Sequence, residues 1–133
     1  MQQERAAPAP SGRRVLVIDD YDAAREYMTR LLTAAGFVVF SQSSPIGATR
    51  MIVRERINVV VIDLHMPAIR GDKLVALFRQ NPRFKNLGLV LVSGVAESEL
   101  ETLGRAVSAD AIVPKRSLDS SLVTEVSKLA SRS

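Results

Sequence analysis

Val59-Val60-Val61-Ile62-Asp63-Leu64-His65-Met66-Pro67, followed by Gly71, decides how this chain folds. Four apolar, β-branched residues make a strand too hydrophobic to lie half exposed, and it stops at a carboxylate before a proline-containing loop. A lone Asp after a strand caps a turn, but strand ends that carry acids are also where α/β sheets place chemistry. What the other strand ends carry decides between the two.

Upstream, Val15-Leu16-Val17-Ile18 is a second fully apolar strand, and it too ends on acids, Asp19-Asp20. Ala24, Tyr27, Met28, Leu31, Leu32 and Ala35 then recur at helical spacing, with Asp22 near the predicted helix start and Gly36 at its end. Phe37-Val38-Val39-Phe40 reads as a short strand, and Ser44-Pro45 is expected to open a helix with Ala48, Met51 and Ile52 on one face.

Downstream of Gly71-Asp72 a helix is predicted with Leu74, Leu77 and Phe78 on its apolar side, ended by Asn81-Pro82. Residues 87–92 form the fourth strand, stopping at Ser93-Gly94, and residues 97–107 a helix carrying Leu100, Leu103 and Val107. Ala111-Ile112-Val113 is the last strand. Pro114-Lys115-Arg116 leads from it into a final helix lined by Leu118, Leu122, Val126 and Leu129.

Five short apolar strands alternating with five amphipathic helices predict an α/β fold: a five-stranded parallel sheet, flavodoxin-like order 2-1-3-4-5, with helices on both faces. All carboxyl ends of a parallel sheet share one edge. Asp19, Asp20, Asp63, Ser93 and the segment around Lys115 are therefore expected on one rim.

The chain has 133 residues, 47% of them hydrophobic, enough for one core. Residues 13–133 are expected to form that single domain. Residues 1–12, rich in Pro and Ala and without amphipathic period, are expected to be a flexible tail. The absence of cysteine excludes a disulfide framework, a thiolate metal site and a Cys nucleophile, and fits a cytoplasmic location. No apolar run approaches the roughly 18 residues of a membrane span, so no membrane partner is expected. The net charge of +4 comes from Lys and Arg scattered among 14 acids, which argues against direct nucleic-acid binding.

With strands 1 and 3 adjacent, the carboxylates of Asp19, Asp20 and Asp63 converge and raise one another's pKa unless a cation sits among them. Oxygen ligands without Cys or a His cluster suit a hard ion, Mg²⁺ or Mn²⁺. Lys115, two strands from Asp63, has the arm to add a second positive charge, and Ser93 offers a hydroxyl. Such a set stabilises equatorial phosphoryl oxygens in an in-line transfer, with a carboxylate as nucleophile.

These residues resemble the receiver domain of two-component response regulators, of the chemotaxis type. The likeness rests on Val15-Leu16-Val17-Ile18-Asp19-Asp20, on Val61-Ile62-Asp63-Leu64-His65-Met66-Pro67 with Gly71, on Val90-Leu91-Val92-Ser93-Gly94, and on Ser108-Ala109-Asp110 leading to Lys115. It implies that Asp63 accepts a phosphoryl group from the phosphohistidine of a sensor histidine kinase or a histidine phosphotransfer protein. It implies that Asp20, Asp63 and the backbone carbonyl of His65 hold Mg²⁺ directly, with Asp19 bound directly or through water. Lys115 and Ser93 would bind the phosphoryl oxygens, and the added charge would bias a surface on the fourth helix, fifth strand and fifth helix that contacts a downstream protein partner. The chain would act alone as a bacterial signalling switch, an enzyme only toward its own aspartyl phosphorylation and dephosphorylation.

Three departures from the family pattern stand out. Arg116 occupies the place of the usual Pro after the rim lysine, so a trans bond and a differently shaped loop are expected there. Ile112 replaces the usual switching aromatic, and Arg70 stands before Gly71 where an acid or Asn is frequent. They motivate the alternative of a receiver-like interaction module independent of phosphorylation. Gly71 itself is expected to supply a backbone angle that other residues resist.

Overall fold

The computed structural model describes residues 13–94, 102–103 and 108–132. The expected flexible tail lies outside them. Five strands, β1 (Arg14–Ile18), β2 (Val38–Gln42), β3 (Val59–Asp63), β4 (Gly88–Ser93) and β5 (Ala111–Pro114), form one sheet of order β2-β1-β3-β4-β5. All four pairings are parallel, with Val17 opposite Val61 and Asp63 opposite Val92. The predicted fold and strand order are those observed.

Alternation along the central strands gives the sheet two different faces. Val15, Val17, Val59, Val61, Val90 and Val92 point to one, where they meet Met28 and Leu32 of α1 (Asp22–Ala34) and Val126 and Leu129 of the C-terminal helix α4 (Val123–Ala130). Leu16, Ile18, Val60, Ile62, Leu89 and Leu91 point to the other, beneath α2 (Ala48–Arg54) and α3 (Gly71–Gln80). Covering both faces is what a parallel sheet of continuous apolar strands requires.

Four α-helices stand among the described residues. The helix expected over 97–107 lies outside them except for Thr102 and Leu103, which are helical. The second helix begins later than its proline suggested: Ser44-Pro45 belongs to a turn, and α2 starts at Ala48 after Gly47 takes a left-handed φ of 82°. The Ser44 side chain accepts a bond from the Ile46 N–H, so the segment is satisfied without helix.

The expected apolar side of α3 is corrected in the same way. Leu77 is 52% exposed, and Val75 with Leu74 and Phe78 fills the core instead. Asn81 ends α3 as expected, its side chain accepting from the Arg83 N–H to start a short 3-10 turn, Pro82–Phe84. The last helix is entered through a 3-10 turn, Lys115–Ser117, and a wide π-type turn, Leu118–Leu122. No cis peptide bond occurs among the described residues, the Lys115–Arg116 bond included.

Candidate functional site

The carboxyl end of β1 passes directly into the turn Asp19-Asp20-Tyr21 before α1. Asp19 is fully buried: its Oδ1 accepts from the Tyr21 N–H at 2.9 Å, while its N–H donates to Gln42 O at 3.2 Å. Asp20, one residue on, is exposed. Asp63 ends the adjacent β3 and is 3% exposed. One carboxylate oxygen from each of Asp19, Asp20 and Asp63 lies within 4.8 Å of the others.

Lys115 reaches this group from β5, two strands away from β3. Its Nζ stands 3.3 Å from Asp63 Oδ1 and 3.3 Å from Asp19 Oδ2. The departure at Arg116 therefore leaves the lysine's reach intact. The ion pair to Asp19 lacks hydrogen-bond geometry, so Asp19 Oδ2 is a buried oxygen without a hydrogen-bond partner.

Burial first, and the charge of Asp19 second, hold the Asp63 carboxyl above its usual range. The charge and hydrogen bond of Lys115, and the backbone N–H of His65, pull it back only in part. A buried pair of acids under one lysine is thus short of positive charge. Asp19 Oδ2, which accepts no hydrogen bond, and the all-oxygen donor set fit a hard divalent cation, since Mg²⁺ and Mn²⁺ prefer such ligands.

Ser93 ends β4 fully buried, opposite Pro114 of β5 and one residue beyond the Asp63–Val92 pair. Topology brings it to the same rim. The His65 side chain is exposed, outside the carboxylate group. Ile112 sits half-buried against the Leu and Ile core. Arg70 is an exposed residue whose Nε donates to Asp72 Oδ1 at 3.0 Å.

Gly71 corrects an expectation. Its φ is not left-handed, and the reason for glycine is a close approach: a Cβ there would strike the Asp63 carbonyl oxygen and lie 2.9 Å from the carbonyl carbon and from Leu64 Cα. The Gly71 N–H donates to Leu64 O at 2.8 Å, which pins α3 against the end of β3.

Two residues of the site went unread in the sequence. Arg25 donates from Nη1 to the Asp19 carbonyl at 2.8 Å and from Nη2 to Asp22 Oδ1 at 2.6 Å, clamping the acidic turn. Its three-residue spacing from Asp22 was the available signal. The Tyr21 ring lies 6.0 Å from Lys115 Nζ, and nothing in the linear sequence marks that approach.

The family model for the response regulator receiver domain matches residues 15–127. Protein PilG of Pseudomonas aeruginosa is 28% identical over 104 residues, covering 78% of this chain and 77% of PilG. Other relatives that match are transcriptional regulatory proteins, of which this chain spans about half the length, 50% and 52% in two cases. A crystal structure of a response regulator from Chloroflexus aurantiacus superposes with a TM-score of 0.82 at 24% identity, over 90% of this chain and 98% of that one. The response regulator TrrA of Thermotoga maritima, solved in complex with Mg²⁺ and BeF, gives 0.75 at 24% identity, over 88% and 98%.

Proposed function

The chain belongs to the response regulator receiver domain family, and from that premise we propose that it is a stand-alone receiver whose Asp63 is the phosphoacceptor. The carrying observation is the buried Asp63 carboxyl held between Asp19 and Lys115. In the proposed reaction an Asp63 oxygen attacks the phosphorus of a phosphohistidine on a sensor kinase or a histidine phosphotransfer protein. A P–O bond forms, the P–N bond breaks, and the leaving imidazole nitrogen keeps the electron pair and takes up a proton. The product is an acyl phosphate on Asp63.

Asp19, Asp20 and Asp63, with the backbone carbonyl of His65, are the groups that would hold Mg²⁺, or Mn²⁺ in its place. Bound there, the ion supplies charge that offsets the phosphoryl oxygens. Lys115 supplies the second charge and moves from carboxylate to phosphoryl oxygen, while Ser93 donates its hydroxyl. Tyr21 and Arg25 keep the Asp19 turn and the lysine in place. The Mg²⁺–BeF complex of TrrA, a structural neighbour, supports this assignment of the cation.

The single-domain reading, with residues 13–133 as the receiver and 1–12 as a tail, is supported by the match over 77% of PilG. The proposed protein works in the cytoplasm through a downstream protein partner, without nucleic acid or membrane; no described helix is long and apolar enough to cross a membrane. Its catalysis extends only to its own aspartyl group. Incubation with Mg²⁺ and a small acyl phosphate, read by intact mass, tests the proposal: one phosphoryl adduct is expected on the native chain and none on Asp63→Asn. A native chain that stays unmodified would favour the phosphorylation-independent interaction module.

A further inference from the structure

A groove runs along α2, lined by none of the rim acids. It consists of two open cavities of about 730 and 830 Å³ that share Val53 and Arg83. Ile46 and Val53 form its apolar strip, 84% and 40% exposed, values high for aliphatic side chains. Arg50 and Arg54 flank the strip from α2, Arg83 and Lys85 from the turn after α3.

The charge of this face is unbalanced. Its acids are already engaged: Glu55 by Arg14 and Arg54, Asp110 by Arg79 and Arg132. Among the described residues no acid pairs with Arg50, Arg83 or Lys85.

We propose that this groove docks an acidic segment of a partner protein, one with aliphatic or aromatic side chains set between its Asp and Glu residues. Charge complementarity selects the acidic segment, with flanking cations steering it and fixing its register. The apolar strip selects protein over nucleic acid, because phosphate contacts need cations alone, whereas a protein interface pairs buried apolar anchors with a charged rim. The groove is separate from Asp63, so docking holds the partner whether or not the rim is phosphorylated.

The test uses the full chain and a fluorescent twelve-residue synthetic peptide alternating Glu with Leu, followed by anisotropy. Binding is expected to weaken about tenfold in Arg50→Gln/Arg83→Gln and in Val53→Ser, and to be unchanged in Asp63→Asn. A peptide with Ser in place of Leu should bind about tenfold more weakly than the original. Each groove variant is checked for its fold by circular dichroism and for Asp63 labelling by a small acyl phosphate, a reaction the groove positions do not touch, so lost binding in a folded variant reports the groove itself. Absent peptide binding overturns the proposal. So does equal binding of the Leu-free peptide, or equally tight binding of a single-stranded oligonucleotide of matched charge.

Discussion

Lys115 Nζ lies 3.3 Å from Asp63 Oδ1, across the whole width of β4. The lysine lowers the Asp63 pKa against burial and against Asp19. Lys115→Ala is expected to slow Asp63 labelling by a small acyl phosphate about a hundredfold, the usual cost of losing one preorganised charge donor. The pH at which labelling reaches half its maximum should move upward, since a less compensated carboxyl ionises later. Quench-flow or timed mass measurements across pH check both.

The raised Asp63 pKa makes its ionisation a burden on the folded state. The proton is bound more tightly in the folded chain than in the unfolded one, so the associated stability is present below the unfolded value of 3.8 and is lost as pH rises through the folded one. In chelator, Asp63→Asn is therefore expected to melt higher than the native chain near neutral pH. The gap should shrink as pH falls toward 3.8. Thermal denaturation by circular dichroism reads it, and an asparagine variant that melts lower at neutral pH would show that the Lys115 pair outweighs burial.

Gly71→Ala forces a methyl group against the Asp63 backbone. A loss of about 1–3 kcal/mol is expected, the range for overpacking a site that cannot relax, read as a lower urea midpoint. Labelling of Asp63 should fall as well, because the clash displaces Asp63 itself.

Arg79 ties three parts of the chain together: it donates to Ser108 O at 2.9 Å, Leu87 O at 2.7 Å and Asp110 Oδ2 at 2.6 Å, and Asp110 in turn accepts from the Leu89 N–H at 2.8 Å. Arg79→Ala is expected to cost about 1–3 kcal/mol through the polar groups it strands, with labelling of Asp63 in the folded fraction unchanged. Urea unfolding alongside intact mass separates the two.

The rim was legible in the sequence because parallel topology makes it so. Once β1 and β3 are read as buried strands, Asp19, Asp20 and Asp63 have only one edge to occupy. The same reasoning failed where residue type and spacing underdetermine the local backbone path or the face a helix buries. Gly71 looked like a glycine needed for its torsion and proved to be one needed for its size. Pro45 suggested a helix start, but Ser44 and Gly47 satisfied the turn by other means, and Leu77 kept helical spacing while facing water. The Arg25 and Arg79 clamps end partly on carbonyl oxygens, acceptors every residue carries, so residue type announces only their carboxylate halves, to Asp22 and Asp110.

Gly71 against Asp63 also has a mechanical consequence. The Asp63 backbone lies hard against the start of α3, while its carboxylate faces the long, rotatable side chain of Lys115. That close packing exists only because residue 71 lacks a single methyl group.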